Sequence, residues 1–490
     1  MKNLTPQGVC AIAASSLLSL NASALTLENH TFENLPSLGT FTPTDTFQGA
    51  RKDVLLGGFS GLFFEGYANN DTNRPVFVTH PDRGPNGNTQ NLLPEFPGNE
   101  RPFPLPQFQP EITRFELNRS TSQITILDRI GLTRPGFAGS FVPMTGLPNN
   151  PAGSPNVAYT DEVPVDINGN VLNGDAFGAD MEGIVRMADG GYWMSDEYRP
   201  AVYHFNAKGQ MINRFVPKGM EAATAEPVGT FGIELLPEVY GQRRRNRGFE
   251  ALALNEDTDK LYAFIQSPID NPEADPGSPS DANARVSDVI RILEMDIADP
   301  DAPTVTGEFV YMLENRGGAD LFPDNNVDKI GDAVWLGDGR FAVIQRDSGV
   351  GAGADKPVFE IDLAGATNVL GQTYSKELEA FVDAAELNLE GIVPVAKTML
   401  FDLPSIGYLA GDKPEGLALL PNIDGSGGIG LAIINDNDFG LADVDFPGDG
   451  TLPFADSPTP VVVGIVTDIP EPASAVLLGL GSVLVIRRRR

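Results

Sequence analysis

Short apolar runs recur along this chain, each closed by a turn at Asp and Gly and answered by a second apolar run. Strict 3.6-residue periodicity is rare, and turn residues punctuate the sequence at strand spacing. Four of these paired runs follow one plan. They open at Glu182-Gly183-Ile184, Glu250-Ala251-Leu252, Asp332-Ala333-Val334 and Glu415-Gly416-Leu417. They close in the same order at Ser195-Asp196-Glu197, Gln266-Ser267, Arg346-Asp347 and Asn435-Asp436-Asn437-Asp438. A fainter fifth copy runs from Ser60-Gly61-Leu62 to His80-Pro81-Asp82. The start of one strand and the end of the next share one end of a hairpin, so each copy puts its polar termini together. Asp189-Gly190 and Asp338-Gly339 supply turn chemistry and are not ligands.

Each hairpin tends to be followed by a second: 112–117 with 123–127, 201–205 with 210–216, 289–296 with 304–313, and 358–362 with 367–370. Two hairpins make a four-stranded antiparallel sheet, the blade of a propeller. The expected fold is therefore all-β, a β-propeller of six blades within a range of five to seven, with long Pro/Gly-rich loops near 81–110 and 131–178. The sixth blade would pair strands near 25–32 with 461–466 as ring closure. A pair of β-sandwiches is the competing architecture, but sandwiches do not repeat one hairpin with acidic ends. A single helix is expected over 375–388, with Leu378, Phe381, Val382 and Ala385 on one side. Trp193 and Trp335 fall in strands and should pack between blades.

In a propeller the first strand of each blade lines the central channel. That gathers Glu182, Glu250, Asp332 and Glu415 at one mouth, with the polar ends of the second strands in the next shell. Crowded carboxylates repel one another unless protonated or neutralised, and a hard divalent cation does the latter through oxygen ligands. Calcium suits such a site. Zinc would want His or Cys, and only His30, His80 and His204 exist.

Composition sharpens this picture. The 53 glycines and 40 prolines, about 19% of 490 residues, fit short strands and turns and fall short of a collagen-like or disordered chain. The formal net charge is −32, and loss of Lys2 and four terminal arginines would make it −37. Such a surface repels nucleic acid and anionic lipid, and it attracts divalent cations. Lys2, the apolar run 9–20 and Ala22-Ser23-Ala24 read as a secretory leader over residues 1–24. The single cysteine, Cys10, lies inside it, so the mature chain has no disulfide or thiolate chemistry. The body spans 25–468. A tail over 469–490 carries Pro470-Glu471-Pro472, an apolar stretch 473–486 and four arginines. As a helix that stretch would rise about 21 Å, short of a bilayer core. This tail resembles the PEP-CTERM sorting signal of Gram-negative bacteria. The resemblance implies export, transient membrane contact, an exosortase as partner, and a cell-surface or extracellular destination. The body is expected to be monomeric.

The motifs in order are Asp180-Met181-Glu182-Gly183-Ile184, Ser195-Asp196-Glu197-Tyr198, Asn246 through Leu254, Ile265-Gln266-Ser267-Pro268, Lys413 through Leu419, and Asn435 through Phe439. This string resembles the "esterase-like activity of phytase" family of secreted bacterial proteins over about residues 58–439. Two positions depart from the family pattern: Ala251 stands where Gly is common, and Asn-Asp-Asn-Asp replaces Ser-Asp-Asp-Asn at 435–438. Both changes keep the oxygen donors. Membership implies a propeller and hydrolysis of phosphate or other esters.

On that basis Glu182, Glu250, Asp196 and Asp436 are candidate metal ligands, followed by Glu415 and Asp438. Glu197 is the candidate general base and His80 a candidate proton shuttle. Arg247, Arg199 and Arg346 are placed to hold substrate oxygens, and the plainer role for Arg247 and Arg346 is pairing with neighbouring carboxylates. The run 243–245 reads as a solvated loop. No G-x-S-x-G elbow, phosphate-binding loop, H-E-x-x-H or Arg-His acid-phosphatase signature is present. The alternative function is a non-catalytic calcium-binding propeller serving an extracellular matrix.

Overall fold

The computed structural model describes residues 25–41, 52–87, 100–149, 162–167, 169–219, 232–271, 283–314, 329–441 and 459–469. The leader (1–24) and all but the first residue of the tail lie outside the described residues. Five antiparallel sheets account for most of the described strands. Blade 1 runs outward as Phe59–Tyr67, Pro75–Pro81, Glu111–Asn118 and Gln123–Gly131. Blade 2 is Met181–Arg186, Tyr192–Asp196, Ala201–Phe205 and Met211–Pro217, with Ile233–Leu236 added in parallel at its edge. Blade 3 is Phe249–Asn255, Lys260–Ile265, Val289–Asp296 and Thr304–Met312. Blade 4 is Lys329–Gly337, Arg340–Arg346, Pro357–Asp362 and Ala396–Asp402. Blade 5 is Lys413–Leu420, Gly430–Asp436, Val462–Thr467 and the N-terminal strand Thr26–Thr31.

The inner strands pack in the cyclic order of blades 1 to 5 and back to 1, which closes the ring. The expected closure strands do pair, Thr26 opposite Thr467 through Thr31 opposite Val462. They complete blade 5 rather than building a sixth blade, because Val462–Thr467 also pairs with Gly430–Asp436. Propeller blades leave short edges, and closing one blade with strands from both ends of the fold removes the seam.

The core is a belt between blades rather than one central mass. Separate clusters join blades 1 and 2 around Tyr192 and Met194, blades 2, 3 and 4 around Trp193, Phe264 and Phe341, blades 4 and 5 around Ile344 and Ile433, and blades 5 and 1 around Phe59 and Ile434. Alternation along a strand sends successive side chains to opposite faces, so every middle strand feeds two neighbouring clusters. Each fully buried Leu, Ile or Phe there contributes about 1.5–3 kcal/mol. Trp193 stacks on His204, with centroids 4.7 Å apart, and Trp335 stacks on Tyr262 at 5.7 Å, both between blades as expected.

Two outer elements differ from expectation. Pro357–Asp362 pairs with Ala396–Asp402, not with 367–370. The intervening segment folds over blade 3, where Val369 N–H donates to Glu308 O at 2.8 Å and Leu378, Phe381 and Leu387 cover Val289 and Val310. Within 375–388 the helix is reduced to a 3-10 turn, Leu378–Ala380, and a short helix, Ala384–Leu389, capped by Asp383.

One irregularity recurs in every blade and positions the site. Each inner strand carries a β-bulge near its start, between Ser60 and Leu62, Met181 and Ile184, Phe249 and Ala251, Ile330 and Asp332, and Pro414 and Gly416. A bulge leaves a residue unpaired and re-aims its side chain. The five bulges lie at one height and form the rim of the channel.

Candidate functional site

At the rim, the extra residues of blades 3 and 5 are Glu250 and Glu415, and the two-residue bulge of blade 2 contains Glu182 and Gly183. In blades 1 and 4 the extra residue is glycine, Gly61 and Gly331. Neither has space for a side chain. A Cβ on Gly331 would stand 2.4 Å from Pro414 O, and one on Gly61 would stand 2.5 Å from Glu182 O. The sequence alignment that set Asp332 beside the three glutamates is therefore one residue out of step. Asp332 lies past the bulge and accepts hydrogen bonds from the N–H groups of Ala333 at 2.8 Å and Leu417 at 2.6 Å. It ties blade 4 to blade 5 and is not at the mouth.

Glu182, Glu250 and Glu415 do converge. Burial, then the charges of Glu250, Asp180, Glu197 and Glu415, hold the Glu182 carboxyl well above the usual range. Burial, then Glu415 and Glu197, does the same to Glu250. Ser60 Oγ donates to Glu182 Oε2 at 2.5 Å, and Gln266 Nε2 donates to Glu250 Oε2 at 2.5 Å. Glu250 Oε1 is buried and accepts no hydrogen bond; its ion-pair partner, Arg346 Nη2, stands 3.6 Å away. The same guanidinium nitrogen pairs closely with Glu415 Oε1.

On the blade 2 side the glutamates meet Asp180 and Glu197. Asp180, Glu182 and Glu197 are all buried, and each offers a carboxylate oxygen within 4.8 Å of the others. Burial and then Asp180 push Glu197 up to about 8. Burial also raises Asp180, against the lowering effect of Arg83. Arg83 anchors Asp180 twice: its backbone N–H donates to Oδ1 at 2.9 Å, and Nη1 faces Oδ2 at 2.8 Å. Arg247 Nη1 faces Glu197 Oε1 at 3.4 Å, and its side chain remains 29% exposed.

The other expected residues take different positions. Asp196 is fully engaged by its own blade: Oδ1 accepts from the N–H of Asp180 at 3.1 Å and of Tyr198 at 3.0 Å, and Oδ2 accepts from Tyr203 Oη at 2.9 Å and Asn149 at 3.2 Å. Burial pushes its carboxyl up to about 7. It positions Asp180 and is not an open ligand. His80 is buried with both ring nitrogens against carbonyl oxygens, Pro81 at 2.9 Å and Glu182 at 2.8 Å. Burial pushes its pKa down to about 4, so the neutral ring donates one N–H to one of these carbonyls, and both nitrogens are enclosed between blades 1 and 2 rather than open for a proton shuttle. Arg199 is fully buried, with no exposed face to offer a substrate. Arg243, expected in a solvated loop, is also buried, and its Nη1 donates to Arg244 O at 3.0 Å.

Asp436 and Asp438 form a separate group around Lys413, whose Nζ lies 2.7 Å from Asp436 Oδ2 and 2.5 Å from Asp438 Oδ1. Burial and then Asp438 push Asp436 up to about 8. Burial raises Asp438 too, but Lys413 outweighs it and holds that carboxyl below its ordinary value. Both acids thus already have a cation. Burial, then Asp436 and Asp180, raise Asp82 well above its usual range.

Sequence reasoning missed Asp180, Asp82, Arg83 and Lys413 as site residues. The signal for Asp180 was available, since Asp180-Met181-Glu182 puts two acids on one side of an extended segment. Arg83 is recruited by Glu162 at 3.7 Å, which also pairs with Arg101 and stands beside the small parallel pair Glu100–Pro102 and Val163–Val165. No local pattern announces that contact.

Among the described residues, the ligand atoms of the Asp180–Glu182–Glu197 group are all carboxylate oxygens, with Arg83 and Arg247 paired to two of these acids. His30 bonds Ser122 and Glu28, His204 stacks on Trp193, and His80 is spent on carbonyls. That donor set fits a hard divalent cation and not zinc.

Among solved structures, the chain is similar to a gluconolactonase of Xanthomonas campestris, with 10% identity, 89% of this chain and 98% of that chain covered, and a TM-score of 0.28. It is also similar to the virginiamycin B lyase of Staphylococcus aureus, with 10% identity, 91% and 99% coverage, and a TM-score of 0.29. At such scores neither likeness says anything about substrate. An "Uncharacterized secreted protein" of the fungus Arthroderma benhamiae is 30% identical over 258 residues. That match takes in 47% of this chain and 47% of the relative, so the chain spans about half the length of the curated relative it matches. The family model for "Phytase-like: Esterase-like activity of phytase" matches residues 55–439, from just before the blade 1 inner strand through the Lys413 group. Every rim residue described above falls within that match, and the chain belongs to the phytase-like family.

Proposed function

We propose that this protein is an exported hydrolase of phosphate or other esters that works with a divalent cation, calcium, at the channel mouth. The observation that carries the reading is the buried Asp180–Glu182–Glu197 group, three carboxylates with oxygens within 4.8 Å of one another. Like charges at that distance in a buried setting favour either bound protons or a cation. Asp180, Glu182 and Glu197 would hold the ion. When bound, it would polarise the ester oxygen and offset the charge of an anionic substrate, which this acidic protein would otherwise repel.

The chain's own residues supply the rest. Glu197 has a second carboxylate oxygen, which would take the proton of the attacking water. Arg247, the partly exposed cation of the rim, steadies a substrate oxygen. Asp196 and His80 hold the Asp180 and Glu182 backbones in register. The leader ending at Ala24 and the Pro470-Glu471-Pro472 tail support export with sorting of the tail at the cell surface, and the word "secreted" in the fungal relative's description agrees with this.

The test is turnover of p-nitrophenyl phosphate, an acyl p-nitrophenyl ester and phytate, each with Ca²⁺ and with chelator. Activity that needs the ion and disappears in Glu182→Ala and Glu197→Ala supports the hydrolase. Ion binding without turnover of any ester supports a calcium-binding propeller instead.

A further inference from the structure

Blade 4 breaks the rim pattern in two places at once. Its bulge residue is Gly331 where blades 3 and 5 have Glu250 and Glu415, and its second strand ends in Arg346 where blade 2 ends in Asp196. The two departures fit each other. A Cβ on Gly331 would stand 2.4 Å from Pro414 O, so blade 5 excludes a side chain there, and Arg346 Cδ passes the same position at contact distance, 3.5 Å. The guanidinium then lies between the acids of the flanking blades, paired with Glu415 Oε1 on one side and 3.6 Å from Glu250 Oε1 on the other. It is buried, with 5% of its side chain exposed, too enclosed to reach for a substrate.

Charge explains the arrangement. The rim gathers five carboxylates, Asp180, Glu182, Glu197, Glu250 and Glu415, against three guanidiniums, Arg83, Arg247 and Arg346. One divalent ion balances the two charges left over. Gln266 already takes Glu250 Oε2, so Glu250 Oε1 and Glu415 Oε1 are the oxygens that the guanidinium separates. Two buried carboxylate oxygens with a permanent cation between them are a cation site whose occupant is covalently attached.

We propose that Arg346 occupies the place of a second metal ion and so limits the rim to a single exchangeable cation on the blade 2 side. This rests on the reading that Glu182 helps to hold that cation. The fixed charge also keeps blades 3, 4 and 5 joined at the rim when the exchangeable ion is absent, since an arginine does not titrate or dissociate.

The experiment counts Ca²⁺ per chain by isothermal titration and by elemental analysis after gel filtration, on the full chain stripped with chelator. Surface sites are shared by all variants, so differences between variants are what is read. Glu182→Gln should bind one ion fewer than the natural protein. Arg346→Met should bind one ion more, and Arg346→Lys, which keeps the charge, should match the natural count. Arg346→Gln serves as a second neutral variant where Arg346→Met does not fold. A neutral variant that gains no ion, while Glu182→Gln loses one, overturns the role of Arg346 and leaves the metal reading intact. An unchanged count in Glu182→Gln removes the metal reading and this inference with it.

Discussion

Blades 2 and 4 build the same hairpin with a bulge at the same height and deliver opposite charge to the channel. Blade 2 brings Glu182 at its bulge and Asp196-Glu197 at the end of its second strand, and it recruits Asp180. Blade 4 brings Gly331 and Arg346. Backbone geometry is therefore common to both, and the chemistry is set by two positions per blade. The rim is asymmetric: on one side Asp180, Glu182 and Glu197 gather with Arg83 and Arg247 each paired to a single acid, and on the other a guanidinium is buried between two acids. A repeat architecture can specialise in this way because each blade is stabilised by its contacts with the next, leaving its rim positions free to vary.

The largest expected effect comes from emptying the acidic side. Glu182→Ala and Glu197→Ala should each lower ester turnover by roughly 100-fold or more, since general-base and ion-positioning contributions are of that order. Steady-state kinetics at saturating Ca²⁺ measures this, and a variant within about threefold of the natural protein removes its residue from the mechanism.

Next comes the backbone that both blades share. Gly331→Ala in blade 4 and Gly183→Ala in blade 2 set a Cβ 2.4 Å from Pro414 O and 2.3 Å from Leu252 N, backbone atoms of a neighbouring blade. Overpacking of this kind costs about 1–3 kcal/mol, so both variants should lose stability in denaturant titrations. If either matches the natural protein, close approach of inner strands at the bulges is not what requires glycine there.

A smaller effect is expected from pH in protein stripped of ions. Asp196, Glu197 and Asp436 have folded values of about 7, 8 and 8, above their ordinary 3.8, 4.5 and 3.8. The folded state then binds more protons than the unfolded chain between about pH 4 and 8, and stability falls as pH rises through that window. Asp438, held below its ordinary value, contributes the opposite slope only at lower pH, and His80, held at about 4 against an ordinary 6.5, contributes it between those values, a single group against three. Melting in chelator should therefore occur at a lower temperature at pH 8 than at pH 5.5. Added Ca²⁺ should shrink the difference, because an ion replaces the proton at Glu197. A chelated protein more stable at pH 8 would contradict the assigned burial of these acids.

The smallest effect separates turn from rim. Gly190 and Gly339 have φ of +89° and +82° in the hairpin turns of blades 2 and 4. Replacing either by Ala should cost about 1 kcal/mol and leave kcat unchanged, equally in both blades. Unequal costs would show that the two hairpins differ beyond their rim residues.

The hairpins, their pairing into blades and the convergence of Glu182, Glu250 and Glu415 are legible in the sequence because period-2 runs and turn residues are local signals. The position of Asp332 is not. Acid-to-acid alignment ignores the bulge, and a bulge shifts register by one residue without any change in composition. The number of blades was obscured by ring closure, since the strand from 26 to 31 looks the same whether it completes the fifth sheet or begins a sixth. His80 and Asp196 looked open because sequence shows polar residues at a strand end, whereas their partners are backbone groups of Glu182, Asp180 and Tyr198. The pairing of Arg83 with Asp180 joins positions 97 residues apart, at the ends of blades 1 and 2, and depends on the packing of those blades.

A crystal structure of the protein grown with Ca²⁺, or with Mn²⁺ for its anomalous signal, tests the central claim most directly. The account predicts one ion peak between Asp180, Glu182 and Glu197 and the Arg346 guanidinium still lodged between Glu250 and Glu415. A saturated crystal with no ion among those three carboxylates, or with the ion displacing Arg346, would contradict it.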